Sequence, residues 1–191
     1  MAGVHHVKVA IVGAGSAGIS IAARLLRKNR ELHGQVLIID PSDKHYYQPL
    51  WTLVGGGAAK AEDTVREQAS LIPEGAKWLK EAVETFSPKH NQLRTKEGST
   101  IHYDYLVVAA GIQINWERIK GLKETIGKNG VCSNYSYDYV RSTWENIRNF
   151  RGGTAIFTQP STPIKCGGAP QKIMYLADDY FRQSGVRDET K

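Results

Sequence analysis

Six residues, Gly13-Ala14-Gly15-Ser16-Ala17-Gly18, constrain this chain more than any other feature of it. They follow Val7-Lys8-Val9-Ala10-Ile11-Val12, a β-branched and nearly all-apolar run that reads as a strand buried on both faces. They open the segment Ile19 to Lys28, whose apolar residues at 19, 21, 22, 25 and 26 lie along one helix face. A second apolar run, Gln35-Val36-Leu37-Ile38-Ile39, then ends in an acid, Asp40. Strand, glycine turn, helix, strand and terminal acid make one βαβ unit.

Each glycine has its own physical reason. Gly13 permits the tight turn, Gly15 lets a pyrophosphate approach the backbone, and Gly18 lets helix and strand pack closely. Ser16 and Ala17 stand where the helix begins, with free N–H groups and the positive end of the helix dipole. Asp40 can accept bonds from ribose hydroxyls. A glycine-rich turn alone can be purely structural. The flanking strand, helix and acid make dinucleotide binding the better reading. An acid at that place suits an unphosphorylated ribose, so FAD or NAD rather than NADP.

A chain of 191 residues with 41% apolar and 23% charged residues is globular in composition, not disordered, collagenous or coiled coil. Its length fits one domain and part of another. The longest apolar run, about Tyr105 to Ile112, is far short of the roughly 20 residues a transmembrane helix needs. Two cysteines make no disulfide framework, so reduced thiols are expected. The net charge of +6 is partly local, with Arg24, Arg27, Lys28 and Arg30 near the end of the first expected helix, where the dipole favours cations. Neither a long basic stripe nor a nucleic-acid module is present, and no nucleic-acid partner is expected. Met1 to His6 leads straight into the first strand, without a signal core or a transit segment.

Further along, Pro41-Ser42-Asp43 is turn chemistry, and His45 to Trp51 is aromatic and irregular before Gly55-Gly56-Gly57. Trp78 to Phe86 reads as a short strand. Gln92 to Thr95 and Thr100 to Tyr103 read as a hairpin around Lys96-Glu97-Gly98-Ser99. Tyr105 to Ala109 reads as a further buried strand ending in Ala110-Gly111, and Tyr137 to Phe150 as a helix. A strand over Thr154 to Thr158, a loop from Gln159 to Gly168 and a helix over about Ala169 to Gln183 complete the layout. The expected class is therefore α/β. A Rossmann-like dinucleotide domain with a hairpin insertion occupies 1–150. The start of a second Rossmann-like domain, cut short, occupies 151–191.

The second opening departs from the first. After Thr158 a nicotinamide-dependent flavoprotein carries another glycine fingerprint. Here stands Gln159-Pro160-Ser161-Thr162-Pro163-Ile164-Lys165-Cys166-Gly167-Gly168-Ala169-Pro170-Gln171-Lys172. Cys166 sits just before a helix start, where the dipole and Lys165 or Lys172 favour a thiolate. An incidental loop cysteine is the competing reading. The missing phosphate cradle and the flanking glycines favour a redox role.

Three segments carry a resemblance: His45-Tyr46-Tyr47-Gln48-Pro49-Leu50-Trp51-Thr52-Leu53-Val54-Gly55, Ser133-Asn134-Tyr135-Ser136, and Lys165 through Leu176. With them the chain, from about Val7 to Gly185, resembles the sulfide:quinone oxidoreductases of the animal mitochondrial type. The resemblance implies a flavoprotein with two Rossmann-like domains that oxidises sulfide to sulfane sulfur and passes electrons through FAD to quinone. It implies a sulfane-sulfur acceptor, a place at the mitochondrial inner membrane, and membrane contact through a C-terminal part outside these 191 residues. It makes 1–150 the N-terminal part of a discontinuous FAD domain.

Residue by residue, Ser16 and Ala17 match the FAD diphosphate contact, and Asp40 the ribose-binding acid. Gln48 matches a flavin-side contact and Val83 the adenine strand. The run from Tyr103 to Gly111 matches the second nucleotide-side motif of flavoproteins that bind two dinucleotides. Cys166 matches the one of two redox cysteines nearer the flavin, with a persulfide as the implied intermediate. Cys132 stands where the family usually has glycine and reads as an incidental thiol. The six histidines read as surface or packing residues, with His45 near the flavin by family position only. Two other readings stay open: an NADH:quinone flavoprotein, and a truncated, non-catalytic FAD- or nucleotide-binding module.

Overall fold

The computed structural model describes residues 3–191. Two compact units emerge, Met1–Tyr46 with Val65–Gln113 and Tyr47–Thr64 with Ile114–Lys191. This division differs from the one at 150/151 read from the sequence. The reason is that 47–64 and 114–150 pack with 151–191: a Cβ built on Gly55 would lie 3.2 Å from Thr143 Cγ2 and 3.3 Å from Ile173 Cδ1.

The first unit holds strands β1 (Val4–Val12), β2 (Val36–Ile39), β3 (Lys44–Tyr46), β4 (Val65–Glu67), β5 (Ala76–Leu79), β6 (Val83–Ser87), β7 (Gln92–Thr95) and β8 (Thr100–Val108), with helix α1 (Ser16–Lys28) between β1 and β2. Six strands form one sheet in the order β5-β2-β1-β8-β7-β6, and β3 and β4 pair separately. β5, β2, β1 and β8 run parallel, while β6, β7 and β8 pair antiparallel.

The apolar runs are continuous because both sheet faces are covered, and successive side chains point to opposite faces. Val9, Ile11, Val36 and Ile38 share one face with Ala22 and Leu26 of α1. Ala10, Val12, Leu37 and Ile39 lie on the other with Leu93, Ile101 and Tyr103, against which Val83 packs. β1 has β2 on one side and β8 on the other, reached by separate crossovers. A sheet whose order reverses in this way leaves a crevice at the carboxyl ends of its strands.

Two strand expectations are corrected here. Trp78 to Phe86 is two strands, since β5 pairs with β2 and β6 with β7, leaving Lys80-Glu81-Ala82 outside both. Tyr105 to Val108 belongs to β8, the same strand as the second arm of the hairpin, with Ala109 just past its end, and the run is not fully buried: Tyr105 is 64% and Val108 62% exposed. β7 pairs with β8 only as far as His102, so beyond that point β8 has a strand partner on its β1 edge alone among the described residues.

The second unit is mainly helical: α2 (Trp51–Gly55), α3 (Leu122–Thr125), α4 (Val140–Asn149) and α5 (Ala169–Gln183). α5 has the bounds read from the sequence. It buries Ala169, Ile173, Ala177 and Phe181, a stripe at four-residue spacing whose last three members pack with Ile147 of α4. The glycines that follow α2 meet both helices. A Cβ on Gly56 would lie 2.5 Å from Leu176, and one on Gly57, whose φ is +77°, 2.7 Å from the Trp144 ring. The helix read over Tyr137 to Phe150 begins only at Val140, after a turn in which Tyr139 and Val140 both donate to the Ser136 carbonyl.

The strand expected over Thr154 to Thr158 is not formed. Gly153 makes an isolated bridge with Thr190, and Ala155 N–H donates to the Lys191 carbonyl at 2.9 Å. Ile156 is 79% exposed. Strand-forming residues become a strand only beside a lateral partner, and here the pairing ends after these contacts.

Candidate cofactor loop and thiol site

The glycine loop joins β1 to α1 at the carboxyl edge of the parallel strands. Gly13 has φ +101°, a conformation that favours glycine. A Cβ there would lie 2.3 Å from the Ala109 carbonyl oxygen, so the turn is also held tight by the end of β8. Ala109 N–H donates to the Val12 carbonyl at 2.7 Å. A Cβ on Gly18 would lie 1.9 Å from the Gly13 carbonyl oxygen and 3.3 Å from Ile11 Cγ2, the close helix–strand approach read from the sequence.

Gly15 is different. It is exposed, its φ of −70° suits any residue, and nothing lies within 4 Å of where its Cβ would be. No protein packing or backbone strain requires glycine there, which fits a loop kept bare for a ligand. Gly15 caps α1 without a side-chain bond, and Ser16 and Ala17 are exposed at the first helical positions. Helix N–H groups without a capping side chain form an anion site.

Asp40, half-buried at the end of β2, bonds to this loop. Its Oδ2 accepts the Ala14 N–H at 2.7 Å and its Oδ1 accepts the Ser42 N–H at 2.8 Å. A carboxylate has about four acceptor sites, so lone pairs remain for ribose hydroxyls. His45 packs on the same loop, its Nδ1 3.1 Å from the Ala14 carbonyl oxygen. A carbonyl only accepts, so Nδ1 carries the proton in this contact. No spacing rule relates His45 to Ala14, and only the turn at 41–43 brings it back.

The other expected cofactor residues of this unit are Val83 and Gly111. Val83 opens β6 opposite Thr95, half-buried against the core face that holds Tyr103. Gly111 is exposed three residues beyond β8, with φ +73° and nothing within 4 Å of a Cβ position.

The second unit gathers Gln48, Tyr135, Lys165 and Cys166. Lys165 Nζ donates to Gln48 Oε1 across 117 residues of sequence. The Tyr135 hydroxyl donates to the Cys166 carbonyl at 3.4 Å. Cys166 is a free, exposed thiol three residues before α5, and the Ala169 N–H donates to its carbonyl at 3.1 Å. Burial pushes the Lys165 ammonium below its ordinary range, while the nearby Cys166 thiol pulls the other way. Burial, with a smaller contribution from Cys166, raises the Tyr135 hydroxyl, so it stays protonated and able to donate. Cys132 is a free, half-buried thiol. Among the described residues, no group of three or more His, Cys, Asp or Glu side chains could hold a metal ion.

A sheet with parallel central strands, a bare glycine loop and a bonded terminal acid defines a dinucleotide-binding protein. The chain belongs to the pyridine nucleotide-disulphide oxidoreductase family, whose model matches residues 7–141. A Dictyostelium discoideum protein named mitochondrial sulfide:quinone oxidoreductase is 51% identical over 185 residues, covering 96% of this chain and 41% of that protein. A Mus musculus protein of the same name is 45% identical over 183 residues, covering 96% and 40%. The solved sulfide:quinone oxidoreductase of Aquifex aeolicus superposes with a TM-score of 0.76 at 21% identity over 97% of this chain and 42% of that one, which establishes the shared fold. The chain spans about two-fifths of the length of the curated relatives it matches.

Proposed function

We propose that the glycine-loop unit holds FAD and that Cys166 is a thiol that takes up sulfur from sulfide, in a flavoprotein that passes the electrons to quinone. The observation that carries the reading is Cys166 itself. It is exposed at the entry to α5, beside a lysine, in the place where a second glycine fingerprint would stand. The names printed for relatives at 51% and 45% identity favour the same chemistry.

The proposed holders of FAD are Gly13, Gly15, Ser16, Ala17 and Gly18 for the diphosphate and Asp40 for the ribose. Gln48, Val83 and Gly111 are assigned further cofactor contacts. When bound, FAD supplies an acceptor for two electrons. At Cys166 the thiolate joins the sulfur of hydrosulfide, forming an S–S bond. The sum is thiolate plus HS⁻ giving persulfide anion, one proton and two electrons. Bound FAD would take up these two electrons and quinone would reoxidise it, while an acceptor thiol or similar nucleophile would remove the outer sulfur from Cys166. Lys165 supplies a positive charge for the anionic partners.

The relatives are named mitochondrial, and we assign this chain to the mitochondrion, at the inner membrane. No helix among the described residues is long and apolar enough to cross a membrane.

The test is the visible absorption spectrum of the 191-residue chain folded with FAD, before and after sulfide. A retained flavin spectrum that bleaches with sulfide supports the proposal. Bleaching by NADH instead of sulfide would replace it with an NADH:quinone flavoprotein. A folded chain that retains no flavin overturns the cofactor assignment.

A further inference from the structure

We propose that Gln48 and Tyr135 are positioning residues for Cys166, gripping two consecutive residues of the Gln159–Gly168 segment. The inference rests on the reading of Cys166 as the reacting thiol.

The segment has little of its own to hold it. It contains no helix or strand, and apart from Ile164 and Gly168 its residues are exposed. An irregular segment with so little buried surface opens easily and spreads its side chains over many positions. A reacting thiol needs one position. Two side-chain bonds from elsewhere in the same unit land side by side on it, Lys165 Nζ on Gln48 Oε1 and the Tyr135 hydroxyl on the Cys166 carbonyl.

Both anchors are themselves tied to α2. Tyr47, next to Gln48, donates its N–H to the Thr64 carbonyl at 2.7 Å, and Trp51 Nε1 donates to Thr64 Oγ1 at 3.2 Å. Asn134, next to Tyr135, donates from Nδ2 to Thr52 Oγ1 at 3.0 Å. Trp51 and Thr52 are buried in α2. The thiol segment is thus fastened to one buried helical turn from two directions. The tie at Tyr135 is long for an O–H···O bond, so Gln48 is the stronger of the two points.

This gives Gln48 a chemical consequence. By holding the Lys165 side chain it fixes where the positive charge stands relative to the thiol next to it. Loss of the tie should loosen the segment and let the charge wander.

The experiment alkylates Cys166 in the full 191-residue chain with neutral iodoacetamide and anionic iodoacetate, read by peptide mass spectrometry so that Cys132 is scored separately. Amide exchange over 159–168 is followed in parallel. Gln48→Leu should raise that exchange about tenfold. It should also lower the iodoacetate-to-iodoacetamide rate ratio about threefold, a charge readout that loosening alone does not move. Gln48→Glu keeps an acceptor for Lys165, so exchange should stay slow while the added carboxylate lowers the ratio. Tyr135→Phe should raise exchange less than Gln48→Leu does.

Unchanged exchange and an unchanged ratio in Gln48→Leu overturn the latch, and sulfide bleaching by the unaltered chain leaves the sulfide reading intact. Exchange and ratio that respond in Gln48→Leu while sulfide fails to bleach the unaltered chain support the latch and overturn the sulfide reading.

Discussion

The Asp40 carboxylate accepts the Ala14 N–H at 2.7 Å, so the acid at the end of β2 is bonded to the glycine loop itself. The same peptide residue is held on its other side, where its carbonyl meets His45 Nδ1 at 3.1 Å. Ala14 is fully buried. Removing the acceptor of a buried N–H costs about 1–3 kcal/mol. Asp40→Ala should therefore lower both stability and FAD affinity, by about that amount in urea melts and at least about tenfold in a flavin fluorescence titration. Asp40→Asn keeps an acceptor oxygen and should lose less stability than affinity. Equal losses in stability for the two variants would show that the Ala14 bond is not what Asp40 contributes to the fold.

Gly15 and Gly18 should separate binding from folding. A side chain at Gly18 meets the Gly13 carbonyl oxygen at 1.9 Å, a backbone atom that cannot give way cheaply. Gly18→Ala should prevent or strongly impair folding, seen as loss of a cooperative thermal transition. Gly15→Ala meets nothing within 4 Å and has an ordinary φ. It should fold normally, with a small gain from the stiffer unfolded chain, about 0.4–1 kcal/mol. Its FAD affinity should nevertheless fall about tenfold or more, because the added methyl group occupies the approach of the diphosphate. Normal FAD affinity in Gly15→Ala would move the cofactor away from this loop.

Cys166→Ser should leave FAD bound and abolish sulfide-dependent bleaching. Serine keeps the size and a hydroxyl but is a far weaker nucleophile toward sulfur. Cys132→Ser should bleach at the rate of the unaltered chain. Stopped-flow absorbance on the two variants checks both statements, and sulfide bleaching that survives in Cys166→Ser would assign the thiol chemistry elsewhere.

Asp178 sets an acid limit on the C-terminal helix. Hydrogen bonds from Arg182, at 2.8 Å, and from Arg187 hold its carboxyl below the ordinary value of 3.8. A carboxyl depressed in the folded state adds stability above its unfolded value, and that contribution is lost as pH falls through the folded value. The difference in Tm between the unaltered chain and Asp178→Asn should be present at pH 6 and shrink once the pH drops below about 4. The sign is the test. A difference that grows on acidification would contradict the depressed carboxyl.

How much was legible in the sequence depended on how local each feature is. The run Val7 to Val12, the glycine fingerprint, α1 and the second strand were readable because apolar spacing and turn chemistry act within a few residues. The bounds of α5 follow in the same way from its buried positions at 169, 173, 177 and 181. The candidate site was legible only as a list. Asp40, Gln48 and Cys166 could be named, but no periodicity relates Gln48 to Lys165 or His45 to Ala14.

What the sequence by itself determined is the βαβ opening, the character of its loop and the cysteine just before a helix start. The tertiary structure alone decided which peptide Asp40 holds, that His45 turns back to the same loop, and that Gln48 and Tyr135 converge on the cysteine segment. It also decided that residues 154–158 form no strand and that Tyr105 and Val108 stand exposed. The physical reason is common to these outcomes. Strand pairing and side-chain hydrogen bonds over long separations depend on which segments become neighbours, and irregular segments carry no repeat from which that can be read.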